Sequence, residues 1–189
     1  MVINFVTGNV GKLAEAKAIL GEGVVQALEI DLPEIQETDP RKIIKHKLAE
    51  ALKYSKQWVM AEDVSLCLEC LGGLPGPLIK WFLKSIGGEG ISRLCQRMGN
   101  NRAAAKVIIG LAESNSDIHF FEGKVEGVIV APRGEGGFGW DAIFVPDGAQ
   151  KTFAQMTAEE KNKVSMRRTA LELMRRYLKL AEGSDATQG

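Results

Sequence analysis

VINFVTGNVGKLAEAKAIL, residues 2–20, changes its hydrophobic period halfway along. Val2 to Val6 is rich in β-branched and aromatic side chains and stops at Thr7-Gly8-Asn9, which reads as a short strand. From Asn9 onward Leu13, Ala16, Ile19 and Leu20 recur at spacings of three and four, and Gly21 ends the run. That period predicts a helix capped by Asn9, with Gly11 and Lys12 in its first turn. Strand, tight turn and helix in this order open an α/β protein.

The same alternation continues outward. Val24 to Ile30 reads as a second strand, broken at Leu32-Pro33. Residues 40–54 read as a helix started by Pro40, with Ile43, Ile44, Leu48, Ala51 and Leu52 as its apolar stripe. Trp58 to Ala61 is a third strand leading into Glu62-Asp63. LGGLPGP at 71–77 holds three Gly and two Pro in seven residues, so it must be a structured loop. A helix over Leu78 to Ile86 follows, and a second is expected after Gly87-Gly88-Glu89-Gly90. Residues 103–112 and 117–130 predict two long paired strands with a turn near Asn115. Arg133 to Gly139 is a glycine-rich loop, and Ala142 to Val145 a short strand. Thr157 and Glu160 have capping-box spacing, and the helix beyond them to Ala181 is either continuous or broken around Ser165. The expectation is one α/β domain over residues 1–181 with a mixed sheet, and a disordered tail over 182–189.

Composition narrows the class. The 189 residues include 24 Lys and Arg against 24 Asp and Glu, a net charge of zero. A chain without basic excess is poorly suited to long nucleic acid, whose binding requires many neutralised phosphates. Any anion must be held by a local cluster. Apolar stretches such as Val107 to Leu111 fall far short of the roughly 20 residues needed to span a bilayer. The start MVINFVTGN has no basic leader, so no cleaved signal is expected. Cys67, Cys70 and Cys95 are an odd set that suits a reducing compartment. Neither membrane nor nucleic acid is expected as a partner.

Several positions can carry chemistry. A strand ending in Thr7-Gly8-Asn9 and opening a helix that bears Lys12 suits phosphate, because first-turn N–H groups point outward and Gly8 admits close approach. The run lacks the Walker A pattern, and taken alone it equally fits a capped surface helix. Glu34, Glu37, Asp39, Glu62 and Asp63 are the acidic candidates. Carboxylates at a strand's end can hold Mg²⁺, which bridges to substrate phosphates, although a solvated strand end explains the dipeptide as well. Lys80 and Trp81 follow the rigid loop. Phe138-Gly139-Trp140-Asp141 offers an aromatic face, a close-approach glycine and a carboxylate, or else two aromatic anchors on the core. Lys161 and Ser165 share a helix face, and Arg167 joins them only if a helix starts near Ser165. Cys67 and Cys70 have redox spacing without a second pair, so buried thiols are the simpler reading; His46 and His119 lack the neighbours of a nucleophilic pair.

TGNVGK at 7–12, DLPE at 31–34, AEDVSLC at 61–67, LGGLPGPLIKWFL at 71–83, VAPRG at 130–134, FGWDAIFVPDG at 138–148 and MTAEEKNKVSMR at 156–167 occur in one order. In these strings the chain resembles the inosine triphosphate pyrophosphatase family over about residues 2–180. The resemblance implies an elongated two-lobed fold with a long mixed central sheet flanked by helices and an active-site cleft between the lobes. It implies Mg²⁺, with Mn²⁺ as a substitute, a homodimer and a cytoplasmic enzyme. The implied reaction is hydrolysis of ITP, dITP and XTP to the monophosphate and pyrophosphate. By position, Thr7, Gly8, Asn9, Lys12 and Lys80 would hold the triphosphate, with Lys12 and Lys80 also catalytic. Glu34 and Asp63 would serve the metal with Glu62 nearby, and Asp63 would be the base for water. Phe138 would stack on the purine, while Gly139, Trp140, Asp141, Lys161, Ser165, Met166 and Arg167 would build the base and ribose pocket. The family usually reads Ser-His-Arg where this chain has Ser165, Met166 and Arg167. A thioether cannot replace an imidazole as a polar contact, so base selectivity is expected to shift while catalysis persists. A related pyrophosphatase of altered base preference and a silent nucleotide-binding module are the rival readings.

Overall fold

The computed structural model describes the backbone of residues 1–185 and the side chains of residues 1–179. In chain order the elements are β1 (Ile3–Val6), α1 (Val10–Leu20), β2 (Val25–Leu28), α2 (Pro40–Ala51), β3 (Trp58–Leu68), β4 (Pro75–Gly76) and α3 (Ile79–Arg97). There follow β5 (Arg102–Ser114), β6 (Asp117–Ile129), β7 (Phe144–Pro146), α4 (Ala158–Val164) and α5 (Met166–Asp185). The seven strands form one sheet in the order β2-β1-β3-β5-β6-β7, with β4 paired to β3. β1 is parallel to both β2 and β3, and the remaining pairings are antiparallel. The mixed α/β sheet is therefore as expected.

The sheet has two unlike faces because side chains alternate along each strand. Phe5, Met60, Leu66, Val107, Ile109 and Leu111 build the main core with Ala16 of α1 and Ala170, Leu171 and Met174 of α5. Val59, Ala61, Ile108 and Ala112 face the other way, onto Ile44, Leu48 and Ala51 of α2. A β-carbon at Gly123 would collide with the Met166 carbonyl oxygen. That glycine lets the start of α5 sit directly on β6, which fixes Ser165 to Arg167 against the sheet.

Several boundaries differ from the sequence reading. β3 does not stop at Ala61 but runs to Leu68, paired with β5 from Val59↔Ala112 to Leu68↔Ala103. Charged residues at 62 and 63 suggested an exposed end, yet each is taken up by partners on its own face of the sheet. The pairing of β1 with β3 ends at Phe5↔Met60, so beyond the tip of β1, β3 stays paired with β5 and gains β4 at Leu66 and Cys67. The helix after the Gly-Pro loop breaks at Gly87 alone (φ 64°, ψ 178°), and Gly88 to Gly90 are already helical. The strand expected from Ala142 begins at Phe144, behind a single 3₁₀ turn. Ser165 is extended (φ −78°, ψ 134°), so the last helical stretch is two helices. The helix runs to Asp185, past the expected boundary at 181. The rest of the expected tail, 186–189, lies outside the described residues.

Candidate functional site

The turn after β1 builds the first wall. The Asn9 amide donates to Thr7 Oγ1 at 3.1 Å, and Asn9 Oδ1 accepts from the Lys12 amide at 3.1 Å. The side-chain cap thus points the amino end of α1 into a cavity of about 540 Å³ lined by Thr7, Gly8, Asn9, Lys12, Glu34, Lys47, Glu62 and Lys80. An adjoining cavity of about 380 Å³ shares Asn9, Lys12 and Lys80 and is lined by Phe138, Gly139, Trp140, Asp141, Lys161, Met166 and Arg167. The two differ in character: carboxylates and lysines crowd the first, and aromatic and aliphatic groups dominate the second.

Glu62 and Arg167 form the buried junction between them. Arg167 Nε and Nη2 donate to the two Glu62 oxygens at 2.9 and 3.1 Å, and Nη1 donates to Glu15 at 2.8 Å. Lys12 reaches Glu62 at 2.9 Å. Burial alone would raise the Glu62 carboxyl, but the charges of Arg167 and Lys12 outweigh it and hold the group at about 2. A bidentate, planar pair of this kind fixes the guanidinium in orientation as well as position. Ser165 Oγ accepts the Arg167 amide at 3.1 Å and so caps the first turn of α5.

On the opposite face of β3, Lys47 of α2 lies 3.3 Å from Glu34 and 3.5 Å from Asp63. Lys80 reaches the other Glu34 oxygen at 3.2 Å. Burial pushes the Asp63 carboxyl up to about 6 against the pull of Lys47. For Glu34, the charges and hydrogen bonds of Lys47 and Lys80 overcome burial and lower it. Asp63 Oδ2 is buried with no hydrogen-bond partner among the described residues, an uncommon condition for a carboxylate oxygen.

The aromatic segment divides its labour. Trp140 is buried in a cluster with Phe144 and Phe153, at 5.5 and 6.1 Å between ring centres. Phe138 stays 42% exposed, with Lys161 Nζ 4.8 Å from its ring centre. Lys161 also pairs with the buried Asp141 at 2.6 Å, and Asp141 accepts the Phe138 amide at 2.9 Å. These contacts hold the loop while leaving the outer face of Phe138 open.

Most sequence-predicted residues therefore converge on the two cavities, but not all: Ser165 lines neither, and Asp63 lines instead a small neighbouring pocket with Glu34, Lys47 and Lys80. Glu37 accepts the amides of Thr38 and Asp39, and Asp39 caps α2 through the Arg41 amide; both start a helix away from the cavities. Two residues that the sequence reading passed over belong with the rest. Lys47 sits among Ile43, Ile44, Leu48 and Ala51 on the buried stripe of α2, and a lysine on an apolar stripe is itself a signal of a buried partner. Glu15 lies one turn from Lys12 on α1, where helical spacing puts the two on one face.

A mixed sheet whose β1–α1 turn and extended β3 frame a polar, lysine-bearing cavity beside an aromatic one describes a family, and the chain belongs to it: the Ham1 family model matches residues 3–177. The chain is 43% identical over 178 residues to inosine triphosphate pyrophosphatase 1 of Trypanosoma cruzi, covering 93% of this chain and 91% of that protein. It is 42% identical, over the same shares, to inosine triphosphate pyrophosphatase 2 of that organism. Among solved structures, a HAM1 protein from Coxiella burnetii matches with a TM-score of 0.82 at 27% identity, over 95% of this chain and 99% of that one.

Proposed function

We infer that this protein hydrolyses deaminated purine nucleoside triphosphates (ITP, dITP and XTP) to the monophosphate and pyrophosphate, clearing them from the nucleotide pool. The observation that carries the reading is the pair of adjoining cavities that share Asn9, Lys12 and Lys80. A polar, lysine-bearing space for a triphosphate opens onto an apolar, aromatic-edged space for a base. The similarity to the named pyrophosphatases supports the same substrates.

Cleavage of a phosphoanhydride needs little covalent help from a protein, so the work is positioning and charge stabilisation. Lys12, Lys80 and the capped end of α1 would hold the phosphates and offset charge that develops on the departing pyrophosphate. Asp63, with its partnerless Oδ2, would orient the attacking water and accept its proton. Two hard carboxylates, Glu34 and Asp63, fit Mg²⁺ (or Mn²⁺), which prefers oxygen ligands, keeps several waters and completes its shell with phosphate oxygens. When bound, the ion would supply Lewis-acid polarisation of those oxygens. Among the described residues no three His, Cys, Asp or Glu side chains group to hold a metal ion, so Glu62 does not join Glu34 and Asp63. Glu62 would act instead by holding Arg167 in place.

Phe138 would stack on the purine, and N–H donors from Lys161 and Arg167 would meet its 6-keto oxygen. Adenine presents a donor at that edge and would leave buried groups unpaired. Guanine has to be refused at its 2-amino group, and Met166, among the residues lining this cavity, favours a second reading in which base preference is shifted. The homodimer and the cytoplasmic location implied by the resemblance belong to the same proposal, tested by sedimentation and cell fractionation.

The experiment is to follow pyrophosphate and monophosphate release from ITP, XTP, dITP, GTP and ATP with and without Mg²⁺. Magnesium-dependent release led by ITP, dITP and XTP is the expected result. Fast hydrolysis of all five supports the shifted preference, and tight binding without turnover would overturn the enzymatic reading.

A further inference from the structure

We propose that Cys70 and Cys95 form an oxidisable dithiol, a modification site at which a low-molecular-weight disulfide such as glutathione disulfide converts the pair to an intramolecular cystine. The inference is independent of the nucleotide reading. Cys70 lies in the 3₁₀ turn Glu69–Leu71 that follows β3, and Cys95 in the last turns of α3. Their sulfurs are 3.8 Å apart, so bond formation at about 2.0 Å requires an approach of about 1.8 Å. Two side-chain rotations can share that movement.

The surrounding contacts already dock the two segments. Asn100, just beyond α3, donates to Glu69 beside Cys70 at 3.3 Å, and the Asn100 amide bonds the Cys95 carbonyl at 3.3 Å. The pairing is not the one that sequence spacing suggests. Cys67 points to the other face of the sheet, where it lines a groove with Lys106 and Lys124, and Cys70 is a partner to Cys95 instead.

Exposure divides the roles. Cys70 is half-buried and Cys95 fully buried. Burial and the hydrogen bond with Cys70 push the Cys95 thiol up to about 12, so it does not initiate exchange. The Cys70 thiolate attacks one sulfur of glutathione disulfide and expels one glutathione thiolate, which leaves a mixed disulfide on Cys70. Cys95 then gives up its proton, attacks the Cys70 sulfur and expels the second glutathione. Two protein thiols lose two electrons, one glutathione disulfide gains them, and the two thiol protons end on the two glutathione molecules. The closed loop holds the LGGLPGP turn and Lys80.

The test incubates the folded full-length protein with glutathione disulfide, traps free thiols by alkylation and maps peptides by mass. A Cys70–Cys95 crosslink is expected, intact in a Cys67→Ser variant, with a rise in melting temperature of about 5–10 °C reversed by dithiothreitol. A Cys95→Ala variant should stop at a glutathione adduct on Cys70. A Cys67–Cys70 link, an intermolecular link, or three free thiols in the folded wild type would each overturn the proposal.

Discussion

Glu62 and Asp63 are neighbours in β3, yet they serve opposite faces of the sheet. Glu62 is bound by Arg167 and Lys12 beside α1 and α5, and Asp63 by Lys47 of α2. The strand's two-residue period separates two carboxylates that sequence alone places together. One is a structural anchor for a guanidinium; the other keeps a partnerless oxygen. The two should therefore respond differently to the same chemical change.

Replacing Asp63 by Asn removes a proton acceptor with little change in shape. Turnover of ITP is expected to fall about 10²–10⁴-fold, while nucleotide affinity measured by equilibrium binding stays near that of the wild type. A rate close to wild type would remove Asp63 from the mechanism.

Glu62→Gln strikes at stability first. It leaves Arg167, 2% exposed, with only Glu15 as a charged partner among the described residues. Breaking one side of a buried ion pair typically costs about 3–5 kcal/mol, to be read from urea unfolding. A loss below about 1 kcal/mol would show that Arg167 finds water or another carboxylate.

The same pair sets an acid limit. The Glu62 carboxyl is held at about 2, below its ordinary value of 4.5. Its stabilisation is therefore complete above about 4.5 and is lost as pH falls through about 2. The stability difference between wild type and Glu62→Gln should shrink over that interval, and a gap unchanged at pH 2 would contradict the linkage.

Phe138→Ala takes away the exposed ring at the mouth of the apolar cavity. Loss of base stacking, worth about 1–3 kcal/mol, should raise KM roughly 5- to 150-fold with a smaller effect on kcat. An unchanged KM would mean that the base lies elsewhere.

Met166→His introduces an imidazole among the residues that line the apolar cavity. The ITP-to-GTP preference should change by more than the turnover number does, as compared in parallel kcat/KM measurements on the two substrates. Equal preference in both proteins would assign no selectivity to this side chain.

Local chemistry was readable from the chain. The hydrophobic period marked β1, α1 and the β5–β6 hairpin, and the Asn9 and Thr157 caps were written in residue types that bond their own backbone. Lys12, Lys80 and Phe138 stood out beside glycine- or proline-rich turns, but the residues alone fitted surface or core roles as well. Contacts between distant segments were not readable. The bond from Arg167 to Glu62 spans 105 residues, and that from Arg167 to Glu15 spans 152. Lys47 meets Asp63 only because α2 packs across β3 and β5, and Cys70 meets Cys95 only because α3 folds back on the turn after β3. Secondary structure follows from short-range sterics and hydrogen bonds that each stretch carries within itself. Which charge neutralises which depends on how strands register and helices dock, and those are settled by the burial of the whole core.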